Sequence, residues 1–175
     1  ANNGLVGAPY SSDKTGKLIV NGTESTSYIS QARELLKNEN AIVELANDIT
    51  CDAVKGGYSV AGLVVTAGKT LDGNGHTLTV NKANDDYGSV IYATGGTIKN
   101  LTVSGAFRGI FMGGATGDVV IDNVIIDNVC YTFNSDAGNK DYSVTIKNST
   151  LNGWTSFSDC HKLVTFKNCN LGKGT

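Results

Sequence analysis

Apolar and polar residues alternate in a short pattern that recurs four times in the second half of the chain. The four segments are residues 97–103, 120–126, 145–151 and 165–171. In each, an apolar residue lies two positions before an Asn and another lies three positions after it. Alternation of this kind turns apolar side chains to one face of a strand and polar side chains to the other. The pattern therefore predicts pairs of short strands joined by a bend at Asn.

The repeats are spaced at nearly constant intervals. With a looser copy at residues 71–78 included, successive anchor residues are 27, 23, 25 and 20 positions apart. The anchors are Leu71, Ile98, Ile121, Ile146 and Phe166. A period in the twenties, with strands and no helix in each repeat, is typical of a β-solenoid. We expect about five to six coils over residues 41–172.

The repeated Asn predicts a structural ladder. Asn tolerates the left-handed backbone conformation and can make a tight bend without Gly. Coils stacked about 4.8 Å apart bring equivalent residues together, so the amides can hydrogen-bond along the stack. The predicted ladder consists of Asn100, Asn123, Asn148 and Asn168. The residue before each bend is charged and mostly alternates in sign, which predicts modest attraction between coils. These residues are Asp72, Lys99, Asp122, Lys147 and Lys167.

One segment alone has a helical pattern. Residues 26–39 carry apolar side chains at helical spacing, which predicts an amphipathic helix. The preceding residues 1–25 are small and polar and are interpreted as an N-terminal arm. Residues 26–175 are then one β-helix domain, with the helix at its start.

Composition excludes several other classes of protein. The chain of 175 residues has 14 Lys and Arg against 16 Asp and Glu, a balance that disfavours nucleic-acid binding. No apolar stretch is long enough to span a membrane. The 22 Gly suit a fold rich in turns, and the single Pro suits strands that hydrogen-bond on both sides.

The helix at 26–39, the turn at residues 69–78 and the four repeats together resemble the right-handed parallel β-helix proteins of the pectin-lyase-like superfamily, in particular short exported bacterial surface proteins. The resemblance covers roughly residues 26–172. It implies an all-β right-handed parallel β-helix whose N-terminal helix caps the first coil. The superfamily contains lyases, hydrolases, phage proteins and adhesins, so the resemblance specifies a fold and not an activity.

Enzymes of that superfamily suggest where catalytic residues would lie. Pectate lyases use Asp ligands for Ca²⁺ and an Arg base, and Arg108 is the one arginine outside the predicted helix. Asp136 and Asp159 are 23 positions apart, close to one coil. Asp is also common in turns for conformational reasons, and this interpretation is favoured. We therefore expect no catalytic residues and no cofactor, with Ca²⁺ binding and an Asp136, Asp159 and Arg108 site as the alternative.

Aromatic residues are the candidates for stacking against sugars. They are Tyr92, Tyr131, Tyr142 and Trp154. Tyr92 and Phe111 lie in segments where consecutive residues are all apolar. The pattern therefore leaves open whether these two side chains face the core or the outside. A sheet that is apolar on both faces predicts a cover made by a loop, by the N-terminal arm or by another subunit.

The four cysteines do not form a metal or redox motif. They are Cys51, Cys130, Cys160 and Cys169, and none forms Cys-x-x-Cys. A buried free thiol at Cys130 and a disulfide between Cys160 and Cys169 are both compatible with the sequence.

The favoured function is a non-catalytic, secreted or cell-surface β-helix domain that presents a rigid surface to a polysaccharide or protein. A small polysaccharide lyase or glycoside hydrolase is the first alternative. The second is a structural spacer in a longer surface or phage-fibre protein, because the chain stops at Thr175 directly after a repeat. An uncapped last coil predicts either dimerisation or continuation of the stack.

Overall fold

The chain folds into a parallel β-solenoid, described here from a computed structural model. The structure describes residues 18–20, 23–25, 42–52, 61–81, 88–105, 107–135, 140–157 and 162–174. These residues contain seventeen strands and no helix, which confirms the predicted all-β solenoid. The predicted cap helix at 26–39 lies outside the described residues.

Each coil passes through three faces, which we call the first, second and third face. The first face contains β3 (Ile42–Leu45), β6 (Thr70–Asp72), the first part of β9 (Gly96–Gly105), the first part of β11 (Val119–Asp127), β13 (Ser143–Lys147) and β16 (Leu163–Lys167). The second face contains β4 (Ile49–Asp52), β7 (Thr77–Asn81), the later parts of β9 and β11, β14 (Thr150–Asn152) and β17 (Asn170–Gly172). The third face contains β5 (Ala61–Val65), β8 (Ser89–Ala93), β10 (Arg108–Phe111), β12 (Tyr131–Asn134) and β15 (Trp154–Ser156).

The described stack makes about four turns, fewer than the five to six coils that the repeat spacing predicts. The first face contains six parallel strands, but the last coil contributes only β16 and β17, and stretches of several other coils lie outside the described ranges.

A short antiparallel hairpin precedes the parallel stack. It consists of β1 (Leu18–Val20) and β2 (Thr23–Ser25), and β1 also pairs antiparallel with β3. Both strands belong to the segment that the sequence predicts as an arm. These two strands therefore extend the first face at its N-terminal edge.

The core is a set of apolar columns inside the solenoid. On the first face the column contains Val43, Leu71, Ile98, Ile121 and Ile146, all fully buried. On the second face it contains Ile49, Leu78, Val103, Ile126 and Leu151. Leu63, Ile91, Ile110 and Phe133 form the column of the third face. Burial of such side chains stabilises a fold by about 1.5–3 kcal/mol each, so the columns are the main source of stability.

The repeated Asn residues make the bends between the first and second faces. The φ angles of Asn100, Asn123, Asn148 and Asn168 lie between 53° and 55°, in the left-handed region. Gly105 ends the second strand of its coil with φ 83°, and a Cβ there would collide with the Val80 carbonyl oxygen. Asn serves where a side chain is useful at a bend, and Gly serves where the neighbouring backbone leaves no space.

The side chains of these Asn residues connect neighbouring coils in two pairs. Asn123 Nδ2 donates to Asn100 Oδ1 at 2.9 Å, and Asn168 Nδ2 donates to Asn148 Oδ1 at 2.9 Å. Between the pairs, Asn148 Nδ2 donates instead to Asp122 Oδ1 at 3.0 Å. The asparagines are exposed or half-buried, so the hydrogen bonds run along the surface and not through the core.

Asp122 also makes an ion pair within the row of charged residues that lies beside the bends. Lys147 Nζ lies 3.9 Å from Asp122 Oδ2, on the preceding coil. Both side chains are partly exposed, so this ion pair contributes at most about 1 kcal/mol.

Replacement of Asn148 separates the two roles of a bend asparagine. Asn148→Gly keeps the backbone conformation and removes two side-chain hydrogen bonds, for an expected loss of about 1–2 kcal/mol. Asn148→Ala must also hold the left-handed conformation, which adds about 1–2 kcal/mol. Unfolding in urea measures both changes.

Asn128→Gly is the matched control for this pair. Asn128 has φ 53° and is exposed, and its side chain makes no hydrogen bond to another coil within the described part of the chain. Its replacement by Gly is expected to leave the free energy of unfolding nearly unchanged. Equal stability of Asn148→Gly and the unmodified chain would contradict a stabilising role of the ladder.

Candidate functional site

Three aromatic rings lie side by side across the third face. Phe107 precedes β10, Tyr131 begins β12 and Trp154 begins β15. The Phe107 and Tyr131 ring centroids are 5.6 Å apart with a 52° tilt, and those of Tyr131 and Trp154 are 6.3 Å apart, edge to face. We call Phe107, Tyr131 and Trp154 the aromatic strip.

Backbone hydrogen bonds hold the aromatic strip rigidly. The Tyr131 N–H donates to the Phe107 carbonyl at 3.1 Å, and the Trp154 N–H donates to the Cys130 carbonyl at 2.9 Å. The buried Thr132 hydroxyl donates to the Trp154 carbonyl at 3.0 Å. Tyr131 and Trp154 are therefore carried by strands that are hydrogen-bonded to the preceding coil.

Exposure differs sharply along the strip. Trp154 is 70% exposed, whereas Tyr131 and Phe107 are half-buried. An exposed Trp supported by a second ring offers a flat apolar surface with one N–H donor. Such a surface can stack on the C–H face of a sugar ring or on an apolar side chain of a protein.

Arg108 lies among these rings. It is 4% exposed, and its Cζ is 4.7 Å from the centroid of Phe107 and 5.5 Å from that of Tyr131. The register places Arg108 beside Tyr131 on the next strand. A guanidinium over ring faces is attracted by their quadrupoles, so Arg108 stabilises the strip.

Tyr92 belongs to a different row of the third face. Its ring stacks on that of Phe111 with centroids 5.5 Å apart and planes 16° apart. Its hydroxyl donates to the Gly113 carbonyl at 2.8 Å, and burial raises the pKa of the Tyr92 phenol. A Cβ at Gly113 would collide with the Phe111 ring, so the turn after β10 folds against this row. Tyr92 is thus engaged in packing within the chain.

The structure answers the question that the apolar pattern leaves open. Tyr92 and Phe111 lie in the outer row with Val64, while Phe133 lies in the inner column with Ile110. Val64 and Phe111 are nevertheless buried. The turn at Gly113 supplies part of the cover, which corresponds to a loop among the predicted alternatives.

Tyr142, the remaining predicted binding residue, lies away from the aromatic strip, whereas the unpredicted Phe107 belongs to it. Tyr142 is in the turn before β13, where its carbonyl accepts the Lys162 N–H at 2.7 Å, and it is not on a third-face strand. Phe107 is part of the strip and was not predicted. Its distances of 24 residues to Tyr131 and a further 23 to Trp154 match the repeat period and could have revealed it.

The predicted acidic candidates, Asp136 and Asp159, lie outside the described residues, so their proximity stays a prediction. Among the described side chains, no group of three or more His, Cys, Asp or Glu could hold a metal ion.

A shallow groove of about 150 Å³ lies beside the bend asparagines. Its lining includes Asn100, Asn123, Thr102 and the exposed Ile125. Ligand pockets have volumes of about 300–1,000 Å³, so this groove is too small to enclose a sugar ring. The aromatic strip is the better candidate for a binding surface.

His76 has a structural partner. Its Nδ1 is 3.2 Å from Asp48 Oδ1, and the same oxygen accepts the Thr77 N–H at 2.9 Å. The Thr77 hydrogen bond, with a smaller contribution from His76, holds the pKa of Asp48 below its ordinary value. Asp48 therefore links the turn of the first coil to that of the second.

Two of the cysteines are free thiols. They are Cys130 and Cys169. Cys169 Sγ donates to the Ile146 carbonyl on the preceding coil at 3.4 Å. Cys160, the other partner in the disulfide that the sequence allows, lies outside the described residues.

Comparisons with known proteins do not assign this chain to a family. The chain matches no protein-family model, no curated protein and no solved structure. Within the described residues, no helix has the length and hydropathy needed to cross a bilayer. The fold is thus established as a parallel β-solenoid, and the geometry of the strip is what supports a function.

Tyr92→Phe tests whether Tyr92 belongs to packing. Loss of the hydrogen bond to Gly113 is expected to lower the free energy of unfolding by about 1 kcal/mol, because a buried acceptor loses its partner. Urea unfolding measures the change. A variant as stable as the unmodified chain would show that this hydrogen bond contributes nothing to the fold.

The Asp48 contact predicts a loss of stability in acid. Because the pKa of Asp48 is lower in the folded chain than its ordinary value of 3.8, ionised Asp48 stabilises the fold above that pH. The stabilisation is lost as the pH falls through the lowered folded-state pKa. Asp48→Asn is expected to weaken the fold at neutral pH and to reduce the loss of stability in acid. Urea unfolding midpoints at successive pH values measure both effects. An unchanged profile would rule out this linkage.

Proposed function

We propose that the chain is a non-catalytic β-helix domain of the pectin-lyase-like type that binds a surface polysaccharide through the aromatic strip. One observation carries the proposal: Trp154 at the start of β15 is 70% exposed, with Tyr131 packed against it. The two rings together form a contiguous apolar patch, and exposed patches of this kind mark interaction sites.

The physics of the strip favours a sugar as ligand. Sugar rings present apolar C–H faces surrounded by hydroxyls, and indole and phenol rings combine an apolar face with one polar group. Tyr131 and Trp154 are fixed by strand hydrogen bonds, so little conformational entropy is lost on binding. A flat strip suits an extended polysaccharide better than a small molecule that needs enclosure.

The enzyme alternative is disfavoured by the state of Arg108. A general base must reach its substrate, and Arg108 is 4% exposed among the rings of Phe107 and Tyr131. We therefore assign Arg108 a role in supporting the strip.

The location follows from the proposed ligand. A domain that binds surface polysaccharide acts outside the cell, as an adhesin-like protein that is secreted or held at the cell surface. The proposal includes no cofactor. Ca²⁺ enters it only through the lyase alternative, whose candidate carboxylates are Asp136 and Asp159.

Trp154→Ala tests the proposal directly. Saturable binding of the unmodified chain on a glycan array identifies a ligand, and calorimetry then measures its affinity. Loss of the indole is expected to weaken binding at least about tenfold, as truncation of a central aromatic contact does. The free energy of unfolding should change by no more than about 0.5 kcal/mol, because the side chain is exposed.

Ile125→Ala provides the matched control. Ile125 is an exposed apolar residue of β11 that lies away from the third face. Its variant is expected to bind as the unmodified chain does. Absence of saturable glycan binding, or equal binding by Trp154→Ala, would refute a polysaccharide site at the strip, and binding to proteins alone would point to a protein ligand.

A further inference from the structure

One irregular strand pairing lies directly beneath the aromatic strip. Tyr131 of β12 lies beside Trp154 of β15. The next pair, Phe133 with Thr155, is shifted by one residue, so Thr132 is an extra residue on β12. The pairings of β5 with β8, β8 with β10 and β10 with β12 are regular. Thr132 therefore forms a β-bulge, a feature that changes where neighbouring side chains lie.

The bulge determines which residue lies beside Tyr131. Regular pairing of the two strands would align Gly153 with Tyr131. Trp154 would then lie one position further along the strand, beside Thr132. With the bulge, Trp154 reaches Tyr131, and their ring centroids are 6.3 Å apart, edge to face. The contact between the two rings therefore depends on the extra residue.

Both parts of the Thr132 side chain are engaged at the bulge. The side chain is fully buried, and its hydroxyl donates to the Trp154 carbonyl at 3.0 Å. A Cβ at Gly153 would lie 3.1 Å from Thr132 Cγ2, so the methyl group packs closely against the backbone of Gly153. The Trp154 N–H donates to the Cys130 carbonyl at 2.9 Å. Hydrogen bonds to residues on either side of Tyr131 thus hold both backbone polar groups of Trp154.

We propose that Thr132 is a positioning residue of the polysaccharide site, and that its hydroxyl holds Trp154 at the register position beside Tyr131. This inference rests on the proposed function of the aromatic strip. Thr132 is buried and acts through Trp154, so it does not contact the ligand. A rigid, preformed pair of rings loses less conformational entropy on binding than a mobile pair, which is how the hydroxyl raises affinity.

Near-ultraviolet circular dichroism of the full chain tests the position of Trp154 without a ligand, because Trp154 is the single tryptophan. Thr132→Val keeps the shape of the side chain and removes the hydroxyl, so most of the Trp154 signal is expected to disappear. Loss of one hydrogen bond that holds the ring should also weaken polysaccharide binding about fivefold. Thr132→Ser keeps the hydroxyl and should retain both the signal and the affinity.

Ser149→Ala is the matched control for a loss of stability. Ser149 lies on the same coil as Trp154, is buried, and donates its hydroxyl to the Lys147 carbonyl at 2.8 Å. Its replacement should destabilise the fold and leave the Trp154 signal and the affinity unchanged.

Several results would overturn the proposal. They are an unchanged signal in Thr132→Val, loss of the signal in Thr132→Ser, an equal loss in Ser149→Ala, and normal polysaccharide binding by Thr132→Val. The Ser variant keeps the test decisive if the Val variant does not fold. Absence of glycan binding by the unmodified chain would refute the proposed function, and the signal would still decide whether Thr132 sets the position of Trp154.

Discussion

Parallel hydrogen bonding between successive coils fixes which residues lie above one another, and the rest of the structure depends on that register. It aligns Ile98, Ile121 and Ile146 in one column of the core. It brings Asn123 to Asn100 at the bend, and it sets Trp154 beside Tyr131 on the third face. A shift of one residue would turn core side chains to solvent and break all three sets of contacts together.

The first and second faces could be predicted from the sequence because each coil repeats one local pattern there. An apolar residue before Asn and another after it defines both strands and the bend. The second coil departs from this pattern, since four residues separate Asp72 from Thr77 where two separate Lys99 from Thr102. Its left-handed residues are Asn74 and Gly75, and Asp72 there accepts the Asn100 amide at 3.2 Å. A carboxylate thus replaces the amide oxygen at the start of the ladder.

The third face was harder to predict for a physical reason. Its outer row is itself covered, so residues such as Val64 are apolar although they point away from the core. When both faces of a strand are buried, its apolar and polar residues no longer alternate, so the pattern cannot show which side chains face the core. The predicted binding residues differ in exposure for the same reason. Trp154 is exposed, as a ligand site requires, whereas Tyr92 packs against Phe111 and hydrogen-bonds to Gly113. The position of Arg108 among aromatic rings depends on strands from two coils, which local sequence does not reveal.

The exposure of Phe166 and Leu171, 42% and 70%, affects how the described stack comes apart. In a stack where each coil contacts only its neighbours, local unfolding is easiest where one neighbour is missing. Leu171 and Phe166 lose little buried area when their coil detaches, whereas Ile121 and Ile126 are enclosed on both sides. Amide protons of β16 and β17 should therefore exchange with solvent before those of β11, so that opening proceeds inward from the last coil.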